Sequence, residues 1–127
     1  MRNKETPIKT LLKERVKKLS LSIIEFSRSL PKNDVTGIIS RQVIRSGTSI
    51  GANYFSACRA RSKAEFISRM GIVEEEADET LYWIEILVES GIVKEETIAD
   101  LKNELNEIIS IAVTSIRTAR KNMNKNK

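Results

Sequence analysis

Apolar side chains recur at three- and four-residue steps along most of the chain. Leu12, Val16, Leu19, Ile23, Phe26 and Leu30 fall on one face of a helix. They predict a first helix over about 8–30, ended by Pro31, which pushes the residue before it away from α geometry. Val43, Gly47, Ile50 and Tyr54 mark a second helix over about 36–60. Phe66, Met70, Val73, Ala77, Leu81, Ile84 and Val88 mark a third over about 62–90. Ser62 and Glu65 stand in capping-box spacing at its start, and Gly91 is a natural stop. Ile98, Leu101, Leu105, Ile108, Ala112, Ile116 and Ala119 mark a fourth over about 94–121. Glu95 and Glu96 in its first turn, and Arg117, Arg120 and Lys121 in its last turns, suit the helix dipole. Residues 122–127 show no apolar pattern and are expected to fray. Four amphipathic helices with short connections imply an all-α, antiparallel up-down-up-down four-helix bundle, with residues 1–127 as one domain.

Composition narrows the function. Gly and Pro number only 7 of 127 residues, too few for many strands joined by tight turns. No apolar run approaches the roughly 18 residues of a membrane span. Charges scattered through MRNKETPIKTLLKERVKK leave no unbroken signal-peptide core, so a cytoplasmic protein is expected. One cysteine, Cys58, excludes an intrachain disulfide. The chain has no histidine, which removes His-dependent triads, proton shuttles and the common zinc and di-iron ligand sets. No catalytic, cofactor-binding or metal-binding residue is therefore expected. The acidic run EEEADE, Glu74 to Glu79, has only Ala77 on the inner stripe and suits a solvated face or a basic partner. Cys58 has no nearby base to make it a nucleophile and suits packing.

The net charge of +5 conceals a strong separation. Residues 1–73 carry +10, residues 74–100 carry −9, and residues 101–127 carry +4. Surfaces of opposite sign can pair within a molecule or between subunits, and the basic one can attract polyanions.

The stretch SGTSIGANYFSACRARS concentrates glycine and small residues. A phosphate loop would need a preceding strand and GxxxxGK[ST] or GxGxxG spacing, and neither is present. Gly47 and Gly51 lie on adjacent helical turns. Glycine inside a helix costs about 1 kcal/mol relative to alanine, so close approach of another helix is the compensation expected. On the opposite side, Arg41, Arg45, Ser49, Ala52, Ser56 and Arg59 align at about 100° per residue. This strip fits a solvated face, a subunit contact or a nucleic-acid contact. For the last, Arg41, Arg45, Arg59 and Arg61 are the candidates, since the guanidinium fork matches phosphate. With 5% aromatic residues, base stacking is not expected to contribute. On the third helix Ile72, Trp83 and Ile86 fall off the inner stripe. They fit an oligomer interface, or a stripe wide enough for two neighbours in one bundle.

The segments SIGAN (Ser49–Asn53), ACRARSKAEF (Ala57–Phe66) and GIVEEEADETLYWIEIL (Gly71–Leu87) resemble the four-helix-bundle proteins called 23S rRNA-intervening-sequence proteins. The similarity is strongest from Arg41 to Gly91. Several members carry proline where Gly51 stands and Glu-Gly where Ser56 and Ala57 stand; this chain departs there. The resemblance implies a four-helix bundle assembled as a ring-like homopentamer, with no established catalytic residues. It also implies likeness to retroelement accessory proteins that bind nucleic acid. The expectation is a non-enzymatic oligomeric interaction protein that binds RNA or DNA non-specifically. The alternative is a protein scaffold without a nucleic-acid ligand, its arginines paired with Glu74–Glu79 of a neighbouring subunit.

Overall fold

A computed structural model describes residues 7–125, with side chains from Lys9 onward; residues 1–6 and 126–127 lie outside it. It consists of four helices: α1 (Pro7–Arg28), α2 (Asp34–Cys58), α3 (Lys63–Glu89) and α4 (Glu95–Lys125). Among the described residues there is no strand, and no helix is long and apolar enough to cross a membrane.

The helix ends follow local chemistry. α2 begins at Asp34, two residues before the start that periodicity suggests, because the Asn33 side chain accepts a hydrogen bond from Thr36 N–H at 3.0 Å and caps the helix. α1 stops at Arg28, ahead of Pro31, and Leu30 N–H falls back onto the Ser27 carbonyl at 3.3 Å. The Ser62 hydroxyl accepts from Glu65 N–H at 3.0 Å, as a capping box requires. The returning Glu65 carboxylate accepts from Arg61 N–H at 2.7 Å, one residue before the serine. Gly91 has φ +81°, a conformation that glycine adopts without a Cβ clash. Its N–H donates to Val88 C=O, and Ile92 N–H donates to Leu87 C=O, closing α3. α4 runs to Lys125, so residues 122–125, expected to fray, are helical.

Successive helices pack side by side, α1 on α2, α2 on α3 and α3 on α4, whereas α1 and α4 scarcely touch. Paired residues run in opposite order along neighbours: Ser46 meets Thr80 and Asn53 meets Arg69. Arg15 closes the α1–α4 edge through a two-pronged contact with Glu104, at 2.6 and 3.0 Å, and a further contact with Glu107 at 3.2 Å. Below that bridge lies an open groove of about 850 Å³, lined by Leu19, Phe26 and Leu101 with charged rims.

The core is continuous through all four helices and centres on Ile23, Val43, Ile50, Met70, Ile84 and Leu105. On α3 it differs from the expected stripe. Thr80 and Leu87 are fully buried, while Phe66, Leu81 and Val88 are half-buried. The reason is that α3 lies between two neighbours, so its apolar side must be wide. Thr80 serves the α2 flank, where its hydroxyl lies 2.8 Å from that of buried Ser46. The Ser46 hydroxyl in turn donates to the Gln42 carbonyl at 2.8 Å, which satisfies the buried pair.

Candidate interaction surfaces

Gly47 and Gly51 face inward, against α1. A Cβ built on Gly47 would lie 2.9 Å from two carbons of Ile23, and one on Gly51 would lie 3.2 Å from the Val16 carbonyl oxygen. The glycine-rich stretch is therefore a place of close helix–helix contact. With these glycines turned inward, Arg41, Arg45, Ala52, Ser56 and Arg59 are exposed on the far side.

That outward strip does not act as one surface. Arg45 is turned onto α3, where it pairs with Glu79 and, at 3.4 Å, with Glu76. Glu79 also accepts a hydrogen bond from the Trp83 indole N–H at 3.1 Å. The Glu79 carboxyl is held below its ordinary value, first by the Arg45 guanidinium and then by the indole, against a smaller opposing effect of burial. An arginine thus meets the acidic run within the same chain. Arg41 lies toward the start of α2, in a groove lined also by Lys32, Asn33 and Asp34. Arg59 follows α2 at its far end, and Arg61 lies in the α2–α3 connection.

The apolar candidates of α3 lie at its seam with α2. Trp83 and Ile86 are half-buried and pack against the core; Ile72 is half-buried too. The structure also exposes apolar groups that periodicity alone does not single out. Val35 is 62% exposed, Ile38 55% and Tyr82 56%, and Tyr82 meets Trp83 edge-to-face at 5.0 Å. The antiparallel register places the start of α2 level with the end of α3. Eight residues back from Ser46 is Ile38, and eight residues on from Thr80 is Val88, beside Ile86.

Ion pairs are unevenly distributed. Arg15, Arg28, Arg45 and Lys102 are each paired with carboxylates. Arg59, Arg61, Lys63, Arg117, Arg120 and Lys121 are exposed, and among the described residues none of them pairs with a carboxylate within 4.0 Å. Among the described residues no group of three or more acidic or cysteine side chains is placed to hold a metal ion. Cys58 is half-buried and packs against the core.

The signature of the 23S rRNA-intervening sequence proteins matches residues 10–114. The chain belongs to that family. Among solved structures it is similar to a crystallised protein of the S23 ribosomal protein family from Bacteroides thetaiotaomicron VPI-5482, itself described as of unknown function. The two share 31% sequence identity and superpose with a TM-score of 0.80, over 86% of this chain and 97% of the other. No functionally curated protein matches the sequence. Family membership and the shared backbone account for the four helices; they assign no activity to the surfaces described above.

Proposed function

We propose that this member of the family is a non-enzymatic interaction protein that assembles with copies of itself and binds RNA or DNA through phosphate contacts, without reading sequence. The observation that carries the reading is the set of large apolar side chains left in water on α2 and α3: Val35, Ile38 and Tyr82 are exposed, and Trp83 and Ile86 are only half-buried. All three of the exposed side chains are more than half exposed, and Tyr82 meets Trp83, whose indole N–H is already satisfied within the chain. Covering these side chains with a second copy removes apolar area from water at about 25 cal/mol per Å². The ring-like homopentamer implied by family resemblance supplies the occupant. The cationic side chains supply the second activity, with Arg59 and Arg61 foremost, since Arg45 is engaged by Glu76 and Glu79. That engagement, made within one chain, also removes Arg45 from the pairing with a neighbouring subunit's Glu74–Glu79 that the scaffold alternative requires; its role on this reading is to bind α2 to α3.

Light scattering of the purified protein, with and without RNA across a salt series, tests both activities. Assembly in the free protein is expected, with Ile38→Lys/Tyr82→Lys shifting it toward the monomer while helicity is retained. Wild-type protein that stays monomeric at all concentrations overturns the assembly. RNA that produces no larger species even at low salt overturns the nucleic-acid activity.

A further inference from the structure

We infer that the nucleic-acid contact proposed above, on which this inference rests, is made by one end of the bundle, where Arg59 and the α2–α3 connection meet the C-terminal half of α4, and not by the rest of the outward strip of α2, from Arg41 to Ser56. Sequence order conceals this end, because its residues come from opposite parts of the chain. The antiparallel register joins them: Lys63 and Phe66 line one groove with Thr114, Ser115, Thr118 and Asn122. Ile67, Glu74 and Glu75 line another with Arg117, Arg120 and Lys121. The start of α1 reaches the same end, where Lys9 donates to the Cys58 carbonyl at 3.5 Å.

Three observations converge on phosphate. Residues 59–75 and 113–125 together hold eight basic residues and three acidic ones, whereas residues 28–41 and 85–107, from the other end, hold five basic and eight acidic. The fold therefore separates charge along its length. Next, the cations of this end are not engaged by carboxylates: among the described residues Arg59, Arg61, Lys63, Arg117, Arg120 and Lys121 form no ion pair, as Lys32, Arg41 and Lys94 of the opposite end do not, so what distinguishes this end is how many such cations it gathers. Glu65 is occupied by the Arg61 and Ser62 cap, and Glu74 and Glu75 stand in the Arg117 groove without closing to ion-pair distance. Finally, Thr114, Thr118 and Asn122 recur every fourth residue on α4 beside Lys63, a row of short donors. Guanidinium forks, ammonium groups and short hydroxyl or amide donors are the groups that hold phosphodiester oxygens. No exposed large aromatic side chain stands among them to stack on a base, so the contact reads charge and not sequence.

The test is fluorescence anisotropy with a labelled single-stranded RNA and a labelled DNA duplex, titrated between about 50 and 200 mM salt. The proteins are wild type, Arg117→Gln/Arg120→Gln/Lys121→Gln, Arg59→Gln/Arg61→Gln/Lys63→Gln, and a control, Lys32→Gln/Lys94→Gln, from the opposite end. Circular dichroism confirms that each is folded. Each triple variant is expected to weaken binding at least tenfold at low salt. Each should also lower the slope of log affinity against log salt by about two to three, at roughly 0.7–0.9 for every phosphate no longer neutralised. The control is expected to bind as wild type does. Weakening of the control equal to that of the triple variants overturns the location, because binding is then spread over the whole surface. Triple variants that bind normally also overturn it, while leaving nucleic-acid binding itself intact. Wild type that binds neither nucleic acid at low salt overturns the underlying reading. Tighter binding to anionic lipid vesicles than to RNA overturns nucleic acid as the occupant.

Discussion

Adding one methyl group at Gly47 tests whether the small residues of α2 exist for close packing. The Cβ of Gly47→Ala would stand 2.9 Å from Cγ1 and Cγ2 of Ile23 and 3.0 Å from its Cδ1. Carbon atoms sit comfortably at about 3.5–4.0 Å, so the overlap is several tenths of an ångström or more against three atoms at once. Ile23 has 0% exposure, so it cannot swing aside into solvent. Forcing a methyl into a packed core costs about 1–3 kcal/mol. Helix propensity offsets about 1 kcal/mol of that. The expected net is a loss of up to about 2 kcal/mol. Gly71 supplies the contrast, because its Cβ would meet nothing within 4 Å. Gly71→Ala should therefore show the propensity gain alone, about 0.5–1 kcal/mol of added stability. Urea denaturation followed by circular dichroism, at one fixed protein concentration, measures both. A double-mutant cycle identifies the cause. Ile23→Ala alone should cost about 2–5 kcal/mol. In the Gly47→Ala background it should cost at least about 1 kcal/mol less, since the two side chains no longer compete for one space. Gly47→Ala that stabilises as much as Gly71→Ala would refute the close-packing account.

Glu79→Gln should cost about 0.3–1 kcal/mol at neutral pH, kept small by the 37% exposure of the Glu79 side chain. The folded carboxyl lies below its ordinary value, so its contribution is present above the unfolded value of about 4.3 and is lost as pH falls through the folded one. Wild type and variant should converge in acid, and a difference that grows there would contradict the pairing with Arg45. Thr80→Val should destabilise by about 0.5–1.5 kcal/mol, and Ser46→Ala should add less in that background than alone; full additivity in chemical denaturation would show that the hydroxyls are uncoupled. Ser62→Ala removes the cap of α3 and should cost about 1 kcal/mol, read as a lower thermal midpoint; an unchanged midpoint would mean that Glu65 alone fixes that end.

The helices were legible because burial repeats with the helical period, and the capping residues Ser62 and Gly91 are local signals. Asn33 carried the same kind of signal for α2, and the apolar stripe, which starts later, obscured it. The choice between Thr80 and Leu81 was not legible. Both lie on the broad inner side of α3, and only the position of Ser46 on α2 makes the threonine the better buried residue. The candidate surfaces divide in the same way. Exposure of Arg41, Arg45 and Arg59 followed from helical angle. Capture of Arg45 by Glu76 and Glu79 did not, because those residues are 31 and 34 positions away in the chain.

The sequence by itself determined four amphipathic helices, an inward glycine face on α2, and a chain without histidine whose charge is unevenly distributed. Period, caps and composition are properties of short segments, and each can be read without knowing what packs where. Only the tertiary structure decided which arginines are satisfied, that Val35, Ile38 and Tyr82 are left exposed, and that the cations flanking the α2–α3 connection share an end with those of α4. Those are relations between residues far apart in the chain, and they are fixed by which helices adjoin and in what register.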